Sequence, residues 1–452
     1  MEIHPPDSVL LILERLRSSG HAGYIVGGSL RDVLLGREPA DWDLASDARP
    51  ERLLELFPGA AYENRFGTVA VREGGALHEI TTFRSDHEYA DFRRPHRIEF
   101  GDSIELDLAR RDFTVNAMAW GANAPGDQGG GRVERTLVDL HGGLADLESR
   151  TIRAVGVPRT RFEEDALRMV RAVRLAATLD FGVEPETLVA IEACAPLIAH
   201  LSGERLAAEL DRLLGAERPS VGLRLMASTG ILSVLSPELA AQRGIGQNKI
   251  PDDDLWDHTM RTVDAVPADR PVVRLAALLH DIGKPKTMAD GHFRGHDVAG
   301  AELAAALLDR LRTPRAVAER VVELVRNHMF TYEPTWGDSG VRRFIRRIGR
   351  DALEPLFELR AADNLGSGQA AGSHGLDELR ARVAEQLSGH VVLERADLAV
   401  DGSDLMAELG LAEGPILGSI LDELLERAIA DPEVNERPAL LLMAQAMLTE
   451  DR

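Results

Sequence analysis

The chain has 452 residues, a formal net charge of −22, an aromatic content of 4% and a single cysteine, Cys194. That length allows about two to four domains, and the lone cysteine excludes a disulfide framework and a thiolate metal site. The acidity excludes indiscriminate nucleic-acid binding by the whole surface, though not RNA binding through a local basic strip. No signal peptide and no bilayer-long apolar run is legible, so a cytoplasmic protein with no membrane partner is expected.

Residues 8–22 have the pattern of an amphipathic helix, and from Gly23 to about Leu140 strands and helices alternate. Tyr24-Ile-Val-Gly-Gly-Ser-Leu-Arg-Asp-Val-Leu-Leu-Gly36 reads as an apolar strand, a Gly-Gly turn and a helix, whose free backbone N–H groups point at whatever occupies the turn. Asp41-Trp42-Asp43 follows, with two carboxylates expected on one face of an extended segment and Trp42 and Leu44 directed into the core. A phosphate cradle at Gly27 and Gly28 beside a pair of acids that hold Mg²⁺ is what metal-dependent nucleotidyl transfer needs. Separately, each half is commonplace: an ordinary turn, and solvated acids on a strand edge.

Further strands are expected around Val69–Arg72 and His78–Phe83, where Glu79 is either a third acid near the pair or a solvated edge residue. The charged stretch from Phe83 to Arg97 has little to bury and reads as a mobile loop over a site. Arg110-Arg-Asp-Phe-Thr-Val-Asn-Ala117 sets Arg111, Asp112 and Asn116 before a helix, where arginine can clamp phosphate. Gly121 to Gly131 is read as a floppy hairpin tip, and from about Leu144 the pattern is helical to the end. Breaks are expected near Gly215–Ser220, Gly244–Asp254 and Gly366–Gly375, while Cys194 falls in an apolar helical run as a small core residue.

On one helix, Asp165, Arg168, Arg171 and Arg174 would recur every three residues as a stripe opposite Leu167, Val170, Val173 and Leu175. A carboxylate with a guanidinium offers an acceptor and donors matched to the edge of a base, and the other arginines suit triphosphate; the alternative is an intrahelical salt-bridge stripe. At this point the chain resembles the class II tRNA nucleotidyltransferases, the family of CCA-adding enzymes and bacterial poly(A) polymerases. The matching segments are Gly27–Asp32 with Asp41 and Asp43, Arg110–Ala117, Asp139-Leu-His-Gly-Gly143 with Asp146-Leu147, and Glu164-Asp-Ala-Leu-Arg168.

The resemblance implies Mg²⁺ on Asp41 and Asp43, nucleotide contacts at Gly28, Arg31, Arg111, Asp165, Arg168, Arg171 and Arg174, and selection of CTP and then ATP by Asp165 and Arg168. It implies that Phe83–Arg97 is the loop associated with the switch to ATP, which CC-only relatives mostly lack. Leu393–Leu405 with Gly410 and Gly414-Pro415 resembles the family's tail segment, implicated in gripping tRNA.

His258, His280-Asp281 and Asp363 stand in the order H…HD…D and resemble an HD-domain phosphohydrolase; His296 and His328 could extend the site to a second metal. Two imidazoles and two carboxylates suit a divalent transition metal or Mg²⁺ whose bound water becomes a nucleophile; the alternative is an HD fold kept as scaffold. Arg342, Arg343, Arg346, Arg347 and Arg350 would share one helix face, as an RNA-binding strip or a merely solvated one, with Phe344, Ile345 and Ile348 packed inward.

The expected architecture is α+β and mostly helical. A polymerase-β-like mixed-sheet nucleotidyltransferase head (1–143) precedes a helical neck (144–218), a body with the HD domain (219–365) and a helical tail (366–452). The expected reaction is template-free addition of CCA to tRNA from CTP and ATP with release of pyrophosphate. A-only or CC-only addition, poly(A) synthesis, or mainly HD phosphohydrolase activity remain alternatives, and nothing specifies an oligomeric state.

Overall fold

Pairing of short strands on both sides of Tyr24–Val26 organises the first part of the chain. The computed structural model describes residues 3–64, 67–90, 94–101, 103–124, 135–247, 249–389 and 391–450. Two compact units divide it, Met1–Ala240 and Ala241–Arg452.

In the first unit the strands are β1 (Gly23–Val26), β2 (Asp43–Ser46), β3 (Ala61–Asn64), β4 (Thr68–Glu73), β5 (Ala76–Thr82), β6 (Arg84–Ala90), β7 (Arg94–Phe100), β8 (Met118–Ala122) and β9 (Thr136–Asp139). Seven of them form a mixed sheet in the order β3-β4-β5-β2-β1-β8-β9. Here β1 is antiparallel to β2 and β8, and β2 is parallel to β5 with Asp43 opposite Glu79. Tyr24, Ile25 and Val26 are all buried, as expected of a central strand covered on both faces. The helix Asp7–Ser18 covers one of them, its Leu13 and Leu16 lying where a side chain on Gly23 would project.

Three local expectations change. The stretch from Phe83 to Arg97 is not a structureless loop: β6 and β7 pair as a two-stranded antiparallel ribbon, from Arg84 opposite Phe100 to Ala90 opposite Arg94. Backbone pairing satisfies N–H and C=O groups whatever the side chains, so a segment poor in apolar residues can still be a ribbon. Residues 91–93 lie outside the described residues, as do residues 125–134, where the glycine-rich hairpin tip was expected. Asp165 is not on the arginine helix. The helix Pro158–Glu164 ends there, Asp165 is extended (φ −147°, ψ 104°), and a new helix runs Leu167–Leu179. The Asp165 carboxylate accepts from the Leu167 N–H at 3.1 Å, the competition with helical hydrogen bonding for which aspartate is suited. Trp42 is only half-buried, whereas Leu44 is core.

In the described residues of the second unit, helices dominate. Leu255–Ala265 packs so closely on Arg350–Gly366 that a Cβ on Gly366 would lie 2.1 Å from Thr262 Oγ1. The last part of the chain has its own core, including Val400, Leu405, Leu424, Ala428 and Leu440. Arg342 departs from the basic strip. It is buried, and its guanidinium donates to the carbonyls of Ile429 and Ala430 at 2.6 and 2.9 Å, closing the end of the helix Pro415–Ala430. Arg343 and Arg346 pair with Glu426, so that face is partly neutralised. No helix among the described residues is long and apolar enough to cross a membrane.

Candidate active site

The first cleft forms where β1 runs straight into the helix Gly27–Leu34. Gly27 has φ +73°, and a Cβ there would lie 3.0 Å from Arg111 Nη1 and 3.2 Å from Asp43 Oδ2. Backbone conformation and space both call for glycine. Asp43 opens β2 and faces this turn; burial and the charge of Asp41 raise its pKa in spite of Arg111 and Arg31. An Asp43 carboxylate whose charge is so poorly accommodated, with Asp41 two residues away offering further oxygen donors, fits a hard divalent cation. The register that sets Glu79 beside Asp43 puts a third carboxylate on the neighbouring strand, and that residue is solvent-exposed.

Buried acids hold the arginines. Asp107, 1% exposed, takes Arg110 at 2.6 Å and Arg111 at 3.2 Å, while Arg111 Nε is buried without a hydrogen-bond partner among the described residues. Arg31 donates to Asn116 Oδ1 at 2.8 Å. Asp112 accepts from Arg171 at 2.7 Å and from Asn116 at 3.3 Å. Burial alone would raise its pKa, but Arg171 and Arg168 outweigh that and bring it to about 2. Arg168 donates to Glu164 at 2.6 Å and to the Arg110 carbonyl at 3.1 Å, and Asp165 accepts from Arg205 at 2.6 Å.

A cavity of about 470 Å³ is lined by Asp43, Arg111, Asp112, Asp165, Arg168 and Arg171 among others, which brings one of the two expected acids together with the expected clamp and base-edge residues; Asp41 is exposed and is not in that lining. Arg174 is not in that lining; it donates to the buried Glu209 at 2.6 Å. The sequence reading missed Asp107, Arg205 and Glu209. Glu209 had a signal: it interrupts the apolar stripe Leu206, Leu210, Leu213 on the helix Gly203–Leu214, where an acid is costly unless paired.

The second site lies in the second unit. His258 sits on Leu255–Ala265, His280 ends the apolar helix Pro271–Leu279, His296 begins His296–Arg310, His328 ends Arg315–Asn327, and Asp363 lies near the end of Arg350–Gly366. Gly283 lets the segment after His280 approach His296: a Cβ there would stand 2.2 Å from the His296 carbonyl.

The six residues fall into two groups, His258, His280 and Asp363, and Asp281, His296 and His328, each with ligand atoms within 4.8 Å of one another. The expected set of four with two extensions is thereby regrouped. Asp281 reaches both: Oδ2 lies 3.1 Å from His280 Nε2 and Oδ1 lies 3.3 Å from His296 Nε2. The Nδ1 atoms of His280, His296 and His328 stand 2.7, 2.7 and 2.6 Å from the carbonyls of Ala277, Phe293 and Val325. A carbonyl only accepts, so Nδ1 carries the proton and Nε2 presents a lone pair. Yet Nε2 of His258 faces that of His280 at 3.1 Å, and Nε2 of His296 faces that of His328 at 3.3 Å. The lone pairs of His296 and His328 so placed need a cation between them, whereas His258, whose Nδ1 has no partner among the described residues, can turn an Nε2 proton on His280 or on Asp363 at 3.2 Å; both groups could hold a metal ion.

Profiles of three families match in turn: the Poly A polymerase head domain over residues 23–153, the probable RNA and SrmB-binding site of polymerase A over 180–243, and the HD domain over 249–367. A CCA-adding enzyme of Streptococcus suis (strain 05ZYH33) is 32% identical over 98% of this chain, with 97% of its own length covered. The chain belongs to the CCA-adding enzyme family. Within it, the enzyme of Streptococcus gordonii is 34% identical over 93% of this chain, with 92% of its own length covered. The crystal structure of the Bacillus stearothermophilus CCA-adding enzyme in complex with CTP superposes with a TM-score of 0.73 at 29% identity, covering 99% of both chains. Mostly helical architecture with a mixed-sheet head and an HD domain is thus the family's own.

Proposed function

We propose that this chain completes the 3′ end of tRNA, adding CCA from CTP and ATP without a nucleic-acid template and releasing pyrophosphate. The observation that carries this is the meeting of Asp43, Arg111, Asp165 and Arg168 in one cleft of a chain belonging to the CCA-adding enzymes. In the reaction the tRNA 3′-hydroxyl oxygen bonds to the α-phosphorus, the bond from that phosphorus to the pyrophosphate oxygen breaks, and the hydroxyl proton is lost.

Asp41 and Asp43 would hold Mg²⁺, which when bound neutralises triphosphate charge and lowers the pKa of the attacking hydroxyl. The N–H groups at Gly27 and Gly28 and the guanidinium groups of Arg31 and Arg111 hold the phosphates. Asp165 supplies the acceptor and Arg168 the donors for the base edge, released from Arg205 and Glu164 as the base enters. Asp112 and Glu209 keep Arg171 and Arg174 in register. Such a reaction belongs in the cytoplasm, where tRNA and nucleoside triphosphates are present.

The test is extension of tRNA transcripts ending before CCA, after C and after CC, each with CTP, ATP or both. Completion on all three is expected. Extension only of the CC-ended transcript marks an A-adding enzyme, arrest after CC marks a CC-adding one, and tailing of unstructured RNA marks a poly(A) polymerase.

The facing Nε2 lone pairs of His296 and His328, beside a second group of possible ligands, favour a second activity, metal-dependent hydrolysis of a phosphate ester at the HD site, with Mg²⁺ or a divalent transition metal on His258, His280 and Asp363 and on Asp281, His296 and His328. There water oxygen bonds to phosphorus, the P–O ester bond breaks, and a proton passes to the departing oxygen.

A further inference from the structure

Three of the HD ligands, Asp281, His296 and Asp363, open into a cavity of about 460 Å³ whose other walls carry Lys249, Lys284, Arg294 and Arg360, a cationic lining suited to a phosphate group. A second compartment of about 230 Å³ adjoins it, with Asp297 and Met329 lining both. Its remaining walls are Arg326, Asn327, Phe330, Thr331, Trp336 and Arg347. The junction is built into the fold: Asp297 follows the ligand His296, and Asn327 and Met329 flank the ligand His328.

Arg326 and Arg347 are exposed and carry no ion pair among the described residues. Arg347 is steadied over the Phe344 ring at 5.5 Å, and Trp336 is braced edge-on by Tyr332 at 5.5 Å and tilted against Phe344 at 6.2 Å. Arg360, from the first cavity, lies over Phe330 of the second at 5.7 Å, so one aromatic wall serves both. The smaller compartment is below the size that holds a whole ligand, and it continues a cavity that is within that range. Arginines beside an aromatic face are the combination that grips a single-stranded nucleotide by phosphate and base.

We infer that Arg326 and Arg347, with Trp336, form a subsite for a second phosphate and its nucleotide, so that the HD site takes the end of an oligonucleotide. This rests on the phosphate-ester reading of the HD site given above. Asp297 decides against a polyphosphate: a carboxylate on the shared wall repels an unbroken run of phosphates but accepts from the hydroxyl of a sugar that separates two of them.

The probes are the 5′-phosphorylated dinucleotide pUpU, UMP and UTP, with the full-length protein loaded with Mn²⁺. Affinity is measured by calorimetry and hydrolysis by chromatography, for wild type and for R326A/R347A. Both arginines are exposed, and R326K/R347K controls for folding while keeping charge. Neither lies in the head cleft, so nucleotide binding there is common to all the proteins and cancels in the comparison. The expected result is that R326A/R347A weakens pUpU binding about tenfold, leaves UMP within about twofold, and that R326K/R347K restores most of the loss. Equal loss for UMP, or no loss for pUpU, overturns the subsite. Loss for UTP equal to that for pUpU overturns the oligonucleotide assignment in favour of a polyphosphate. Absence of hydrolysis in wild type with the affinity difference intact would sink the phosphohydrolase reading alone.

Discussion

At the scale of single residues, Asp43 carries the conflict between stability and chemistry. Burial and Asp41 both disfavour its charge, and Arg111 and Arg31 only partly offset them. Neutralising it removes the repulsion along with the proposed metal ligand. Asp43→Asn is therefore expected to raise the melting temperature of the metal-free protein by about 2–4 °C, or about 1 kcal/mol, and to lower CCA addition by more than about a thousandfold. Calorimetry with single-turnover kinetics checks both, and a destabilised variant would mean that Asp43 is a structural ion-pair partner instead. Gly27 belongs to the same argument: its positive φ strains any other residue, and a Cβ would press on Arg111 Nη1 at 3.0 Å and Asp43 Oδ2 at 3.2 Å. That much was foreshadowed by the Gly-Gly pair next to D-x-D.

At the scale of elements, the ribbon of β6 and β7 is tied to the sheet by Phe83, whose N–H donates to the Ser46 carbonyl at 2.7 Å and whose carbonyl accepts from Gly101 at 2.8 Å. Both ends of the ribbon thus meet at one buried residue, 1% exposed. The ribbon is removable in principle without opening the core, since two strands alone add little stability. Deleting residues 85–99 and joining the ends with a short glycine linker should leave addition of the two C residues within about threefold and reduce addition of the final A by about a hundredfold or more. Primer extension resolved by product length reads this directly, and loss of C addition to the same extent would show that the ribbon serves the whole cleft. The helix break at Asp165 has a similar origin in element chemistry. A single aspartate whose carboxylate takes the Leu167 N–H turned one expected helix into two, and Asp165 still faces the cavity that Arg168 and Arg171 line.

At the scale of the whole molecule, the two candidate sites belong to different compact units. Sites with no shared partners behave additively, so His280→Ala should leave CCA addition within about twofold and abolish hydrolysis of phosphate esters. Metal held by the two HD groups would bind only the folded unit, since their members come from separate helices. Adding a chelator should lower the stability of that unit by about 3 kcal/mol for metal held at a hundred times its Kd, while the same treatment of His280→Ala should shift it much less. Differential scanning calorimetry with and without chelator tests this, and equal shifts in both proteins would place the stabilising metal elsewhere.

Local chemistry could be read directly from the order of the residues. The turn at Gly27, the strand that opens at Asp43, the HD domain and the helical second half were all legible, because each depends on spacing within a turn, a strand or one helix end. Which charges face each other was settled by tertiary packing. Arg205 reaches Asp165 across 40 residues, Arg171 reaches Asp112 across 59, and Arg342 reaches the Ile429 carbonyl across 87. Packing also split six side chains that could ligate metal into two groups joined by Asp281. Such pairings follow from how helices meet, and a guanidinium has the same local signature whether it will face a phosphate, a buried carboxylate or the end of another helix.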